Sequence, residues 1–290
     1  MLGKCGERGN RNLDIVANAT RVQNDLVGML FKNRAAQVGN HRFSLAECAM
    51  NELFRLVEQP RQCSYLPAQT ASLEVRAVQD ASPLEYANLL ARGWRRFGWQ
   101  FFRPACPRCR ECRSIRVLAQ EFNASAGQRR VLRKNEGIRA ELHSLFVVPE
   151  TVELYNRYQL FMHEHRGWAL QRASLNSYHD MFLSGPAHLG RQWLYFIEDH
   201  LIGVAMMDEI PPDAVSLVYF FHDPEWRAFS PGVFSVLTQI EYARAQGRSH
   251  AYLGYWIKDC GSMNYKNRFG PYEMLEDYVK EGDVPLWRRT

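Results

Sequence analysis

The chain has 290 residues, 46% of them hydrophobic and 23% charged, with a net charge of +5. That composition supports one large or two ordinary packed domains and excludes wholesale disorder or a collagen-like repeat. No apolar run approaches the roughly 18 residues needed to span a bilayer. The N-terminus lacks a secretory pattern, so a cytoplasmic protein with no membrane partner is expected. Seven cysteines are too few for a disulfide scaffold, and in a reducing compartment clustered cysteines point toward metal binding or catalysis.

Residues 1–49 open on Gly, Asn and Arg and show little apolar periodicity beyond a short helix at 22–31. They read either as a disordered extension ahead of a translation start at Met50, or as a genuine, poorly ordered tail. The spacing then predicts a helix over 84–92 stopped by Gly93, an aromatic strand over 94–102 and a cysteine-rich turn over 104–112. An alternating strand over 114–118 and a basic helix over 128–134 follow. Helices are expected at 150–165 and 175–182, and Gly185-Pro186 breaks the chain. Three strands come next, at 192–198, 201–209 and 214–221, joined by turns at Asp199-His200 and 211–213. Pro231 opens a helix that runs to Ala245, and a last strand covers 250–257.

A meander of three strands, a crossover helix and a further strand is the core order of acetyltransferase folds. The expected fold class is therefore α/β (α+β). A small, basic, cysteine-rich N-terminal domain over 50–139 would precede a GNAT-like transferase domain over 140–290. This is likeness of order and by itself assigns no chemistry.

Cys106-Pro107-Arg108-Cys109-Arg110-Glu111-Cys112 is a C-x2-C-x2-C run, and Cys63 offers a fourth sulfur. Four thiolates suit tetrahedral zinc or an iron–sulfur cluster, and the spacing alone does not separate the two. Cys5, Cys48 and Cys260 are isolated and read as plain thiols.

The charge is unevenly placed. Between Arg92 and Arg139 stand 13 Lys or Arg against 3 acids, so this segment is strongly basic while the rest of the chain is net negative. Trp94, Phe97, Trp99, Phe101 and Phe102 are interleaved at its start. Cations mixed with aromatic rings suit phosphate contacts and base stacking, and nucleic acid is the partner expected.

Several motifs in order resemble one family, the aminoacyl-tRNA–protein transferases of the N-degron pathway, of both arginyl and leucyl types. The resemblance covers about residues 60–275. Its first part runs through Cys63-Ser64-Tyr65-Leu66-Pro67, Arg92-Gly93-Trp94-Arg95-Arg96, Arg103-Pro104-Ala105-Cys106 and Gln128-Arg129-Arg130-Val131-Leu132-Arg133-Lys134-Asn135. Its second part contains Ser216 to Pro224, Pro231-Gly232-Val233-Phe234-Ser235, Tyr252-Leu253-Gly254-Tyr255-Trp256 and Met263 to Phe269.

The resemblance implies transfer of arginine or leucine from aminoacyl-tRNA to the N-terminal amine of a protein beginning with Asp or Glu, marking it for degradation. The Arg-Gly-Trp-Arg-Arg stretch leans slightly to arginine. The enzyme is expected to be a monomer without a nucleotide cofactor. The arginyl branch carries a further cysteine where Leu66-Pro67 stand here, so metal ligands would come from Cys63, Cys106, Cys109 and Cys112. Arg103, Arg129, Arg130, Arg133 and Lys134 are the candidates for tRNA contact.

Exchanging an ester for an amide needs no ATP and no covalent enzyme intermediate. Holding ester and amine in attack geometry supplies up to roughly 7–11 kcal/mol. Lys266 and Arg268 are candidates to meet the acidic side chain of the acceptor, and Tyr219 and Tyr265 are candidate hydroxyl donors. Asp208 and Asp223 are candidates for an amine or guanidinium of the substrates. Two rivals share parts of this pattern: an acyl-CoA N-acetyltransferase and a non-enzymatic, zinc-stabilised RNA-binding protein. The first is disfavoured by the segment Arg227 to Val233, whose single Gly beside a Pro makes a poor pyrophosphate cradle.

Overall fold

The computed structural model describes residues 50–290. The short helix expected at 22–31 and the whole 1–49 extension lie outside the described residues. Two sheets carry the architecture. The first has four antiparallel strands in the order β1-β4-β6-β5: β1 (Asn51–Val57), β4 (Leu73–Asp80), β6 (Gln100–Pro104) and β5 (Arg95–Phe97). A two-stranded ribbon, β2 (Arg61–Gln62) with β3 (Thr70–Ala71), sits between β1 and β4 in sequence.

The second sheet has eight strands. In chain order they are β7 (Arg113–Leu118), β8 (Arg139–Ser144), β9 (Gly190–Ile197), β10 (His200–Ile210), β11 (Ala214–His222), β12 (His250–Trp256), β13 (Tyr272–Leu275) and β14 (Trp287–Arg289). In space they run β14-β13-β7-β12-β11-β10-β9-β8. Only the β11–β12 pair is parallel, so this is a mixed α/β sheet. The helix α5 (Pro231–Ala245) is the crossover that a parallel pair requires.

Side-chain alternation sorts the faces of the large sheet. Trp193, Tyr195, Ala205 and Met207 face one way and pack with Phe234, Leu237 and Ile240 of α5. Leu194, Val204 and Met206 face the other way. They meet Leu154 and Tyr155 of α3 (Pro149–Arg166) and Tyr178 and Phe182 of α4 (Leu175–Phe182). The helix α1 (Pro83–Ala91) buries Tyr86, Leu89 and Leu90 between the two sheets, against Phe101 on one side and Ile210 on the other. A basic helix, α2 (Ala126–Lys134), completes the set. Ser82 and Ser125 start α1 and α2 as capping boxes with Glu85 and Gln128.

One expectation needs correction. The aromatic strand at 94–102 is a hairpin of β5 and β6 that turns at Gly98. That glycine has φ +52°, and a Cβ there would come within 2.4 Å of the Asp180 carbonyl. The large sheet draws strands from both sides of the 139/140 position. β7, from the expected N-terminal domain, lies inside the large sheet between β13 and β12. No described helix is long and apolar enough to cross a membrane.

Candidate active site

The parallel pair opens the site. β11 and β12 are in register only from Ala214↔His250 to Ser216↔Tyr252, and then they part. The register of β12 on β7 shifts between Tyr252 and Gly254, and that of β11 on β10 shifts between Leu217 and Tyr219. Such bulges bend strands and re-aim side chains. Gly254 sits at the bend with φ +82°. Between the parted strands lies a cleft of about 530 Å³, walled largely by aromatic rings including Phe97, Phe102, Tyr158 and Tyr219.

Two cations stand in this cleft. The guanidinium of Arg95 reaches across from β5, donating from Nη1 to Ser216 Oγ (3.2 Å) and from Nη2 to the Leu217 carbonyl. It lies against Gly254, where a Cβ would be 3.0 Å from the Arg95 Cζ. Lys266 comes from the 3-10 turn Asn264–Arg268, and its Nζ donates to the Tyr255 carbonyl at 2.9 Å. Trp256 pins that turn by donating from Nε1 to the Asn264 carbonyl at 3.0 Å. Burial, reinforced by the charge of Arg95, pulls the Lys266 amine down to about 7. Burial also lowers the pKa of Arg95, which remains a cation at neutral pH.

Tyr219 and Tyr265 line the same cleft, as their sequence context suggested. The Tyr219 oxygen accepts from Gln159 Nε2 at 3.2 Å, which leaves its own proton free to be donated. Burial holds both phenols protonated. The first turn of α5, including Gly232 and Val233, also lines the cleft.

Four expected site residues are elsewhere. Arg268 has an exposed side chain outside the cleft lining, and its backbone carbonyl accepts from Gln128 Nε2 at 3.0 Å. Asp208 is fully engaged inside the protein: Arg96 Nη2 meets its Oδ1 at 2.5 Å, and the Tyr86 hydroxyl donates to Oδ2. Asp223 caps the turn Pro224–Phe229 through the Glu225 amide (3.0 Å) and pairs with Arg157 (2.8 Å). Arg103 pairs with Glu74 at 2.8 Å, donates to the Val279 carbonyl and lies over Trp94. Asp208, Asp223 and Arg103 are thus each engaged by partners within the protein. Each signal was present in the sequence, but a carboxylate's partner on a distant strand is invisible there.

The basic residues of α2 fare differently. Arg129, Arg130, Arg133 and Lys134 are all exposed, while Gln128 is the helix's buried side chain.

The cysteines are gathered but not closed into a ligand set. Cys106, Cys109 and Cys112 line a second cleft of about 420 Å³. Burial raises the Cys112 thiol, and the charges of Cys63, Cys106 and Cys109 add to the effect, so all four are near neighbours. Yet Cys63 Sγ accepts from the Leu66 amide at 3.4 Å and Cys106 Sγ donates to the Ser72 carbonyl at 3.6 Å. Among the described residues, no three His, Cys, Asp or Glu side chains are placed to hold one metal ion. The donor chemistry suits zinc or iron–sulfur; the geometry as it stands does not.

Arg95 is the site residue that residue-level reasoning passed over. The signal for it was the pair Arg95-Arg96, where strand alternation must send two cations to opposite faces.

Family models described as "Arginine-tRNA-protein transferase, N terminus" and "Arginine-tRNA-protein transferase, C terminus" match residues 61–130 and 150–276. The chain belongs to that family and is an aminoacyl-tRNA–protein transferase. Among its relatives, the aspartate/glutamate leucyltransferase of Helicobacter hepaticus is 37% identical over 80% of this chain and 98% of its own. A protein of the same name from Campylobacter jejuni is 36% identical over 79% and 95%. The solved structure of L-PGS from Bacillus licheniformis overlaps 71% of this chain and 63% of its own, with a TM-score of 0.40 at 12% identity. That likeness is too slight to carry an argument.

Proposed function

We propose that the enzyme transfers leucine from leucyl-tRNA to the α-amine of proteins that begin with Asp or Glu. The names of the relatives support leucine over the slight lean toward arginine in the sequence. The observation that carries the chemistry is Lys266, an amine held near 7 in an aromatic cleft beside a fixed cation.

An acceptor α-ammonium has an ordinary pKa of about 7.7–8.0. Lys266 is matched to take its proton. The neutral amine then attacks the ester carbonyl of the aminoacyl group. The new bond is the amide, and the bond that breaks joins the carbonyl carbon to the ribose oxygen. Lys266 passes the proton it took to that leaving oxygen, and the freed amine then takes the second proton from the attacking nitrogen and releases it to solvent. Tyr219, which lines the cleft with its proton free, is the proposed donor to the developing oxyanion.

In this reading, strands β9 to β12 with α5 act as an acetyltransferase-like core, and the exposed basic face of α2 takes the tRNA. The four thiolates remain the proposed seat of zinc or an iron–sulfur cluster, with no part in the reaction; metal analysis of the purified protein tests that. The function itself is tested by offering an Asp-initiated peptide together with labelled leucyl-tRNA and, separately, labelled arginyl-tRNA. Leucine label on the peptide is expected. Arginine label alone would overturn the donor, and no label would overturn the activity.

A further inference from the structure

Consecutive residues of β5 receive opposite treatment. Arg96 is neutralised by Asp208 inside the protein. Arg95, partly buried in the cleft, has no carboxylate within ion-pair distance among the described residues, and neither has Lys266. Two basic groups thus stand on adjacent residues of one strand, at Gly254 and at the Tyr255 carbonyl, with no acid between them. An enclosed cation without a counter-charge is costly, and a ligand anion relieves that cost.

We propose that Arg95 is the specificity residue that reads the acidic side chain of the acceptor's first residue. This rests on the reading of the cleft as the transfer site. The Ser216 hydroxyl and the Leu217 carbonyl fix the guanidinium plane, leaving its remaining N–H groups for the substrate. A planar fork is suited to grip a carboxylate with two hydrogen bonds. Phe97, Phe102 and Tyr219 line the same cleft, and the low polarity of their rings strengthens that contact. Lys266 next to the bound carboxylate would then face the α-amine, one carbon bond away from the side chain, where the proton must leave. A phosphate of the tRNA end offers related anionic chemistry, and the test separates the two.

The experiment compares Arg95→Gln, Arg95→Lys and Ser216→Ala with the unaltered protein. Acceptors are peptides beginning with Asp and with Asn, at saturating leucyl-tRNA. Arg95→Gln is expected to lower the Asp-to-Asn ratio of kcat/KM at least about tenfold. Arg95→Lys is expected to keep part of the ratio. Ser216→Ala removes only the hydroxyl that holds the fork, and it should shift the ratio the same way by less. It decides the matter should Arg95→Gln not fold. An unchanged ratio with a raised KM for leucyl-tRNA would overturn the proposal in favour of a phosphate contact. An unchanged ratio with no other change would overturn it as well. Failure of the unaltered protein to transfer any amino acid would instead sink the function on which the inference rests.

Discussion

Asn135 accepts the indole N–H of Trp226 at 2.8 Å and donates its own amide to the Phe229 carbonyl at 3.0 Å. It stands at the end of α2, and its partners belong to the turn that leads into the cleft. At the other end of the same helix, Gln128 holds the Arg268 carbonyl of the turn that carries Lys266. The basic helix is therefore latched at both ends to opposite rims of the site. Replacing Asn135 with Ala strands a buried indole N–H and should cost about 1–3 kcal/mol of stability. Thermal melting reads that loss. A KM for aminoacyl-tRNA that rises along with it reports the broken latch.

The proposed role of Lys266 predicts a pH dependence. Its pKa in the fold is pulled down to about 7 from an ordinary 10.5. If it is the base, log kcat/KM climbs with pH up to about 7 and then levels. Lys266→Met should remove that limb and slow transfer by about 10²–10⁴. The stability sign follows from the same shift. Between about 7 and 10.5 the unfolded chain binds the extra proton, so this residue's destabilising effect is full below 7 and fades toward 10.5. Lys266→Met should accordingly melt higher than the unaltered protein at pH 6, by a margin that shrinks at alkaline pH.

Tyr219→Phe removes one proton donor and leaves the ring packed on Phe182. Loss of an oxyanion donor lowers kcat by about 10²–10³. A change confined to KM would assign Tyr219 to binding instead.

Asp208→Asn separates architecture from chemistry. The Asp208–Arg96 pair is 1% and 2% exposed. Removing one partner of such a pair costs about 3–5 kcal/mol. The melting temperature should fall steeply, with KM for both substrates unchanged in whatever protein remains folded.

On α2, Arg130, Arg133 and Lys134 are exposed and bear no ion pair among the described residues. Exchanging each for Gln should weaken tRNA binding at unchanged melting temperature. The slope of log affinity against log salt should drop by about 1 per residue.

Much of this was legible in the sequence because it is local. Helices α4 and α5 and the strands of the meander follow from periodicity, proline starts and glycine stops, and they occur within a few residues of where those signals place them. Tyr219, Tyr265 and Lys266, singled out through the motifs that carry them, all line the cleft. The illegible parts depend on pairing across long stretches of chain. Asp208 looked available because Arg96 is 112 residues away. β8, β13 and β14 are short or mostly polar, so only their sheet neighbours make them strands. Arg95 emerges as a site residue only once β11 and β12 are seen to part.

β7 pairs with β12 on one edge and β13 on the other. A ribosome delivers residues 113–118 long before residues 250–275, so Ile115 and Val117 must wait with both backbone edges unsatisfied until nearly the entire polypeptide has emerged. The large sheet is a closure made by the last-synthesised part upon one of the earlier ones. Co-translational closure of the large sheet is thereby denied, and a chain truncated before β12 would expose an open, apolar strand of the kind that chaperones and proteases recognise. The enzyme's synthesis is in this sense all-or-nothing: no partial product carries a usable site.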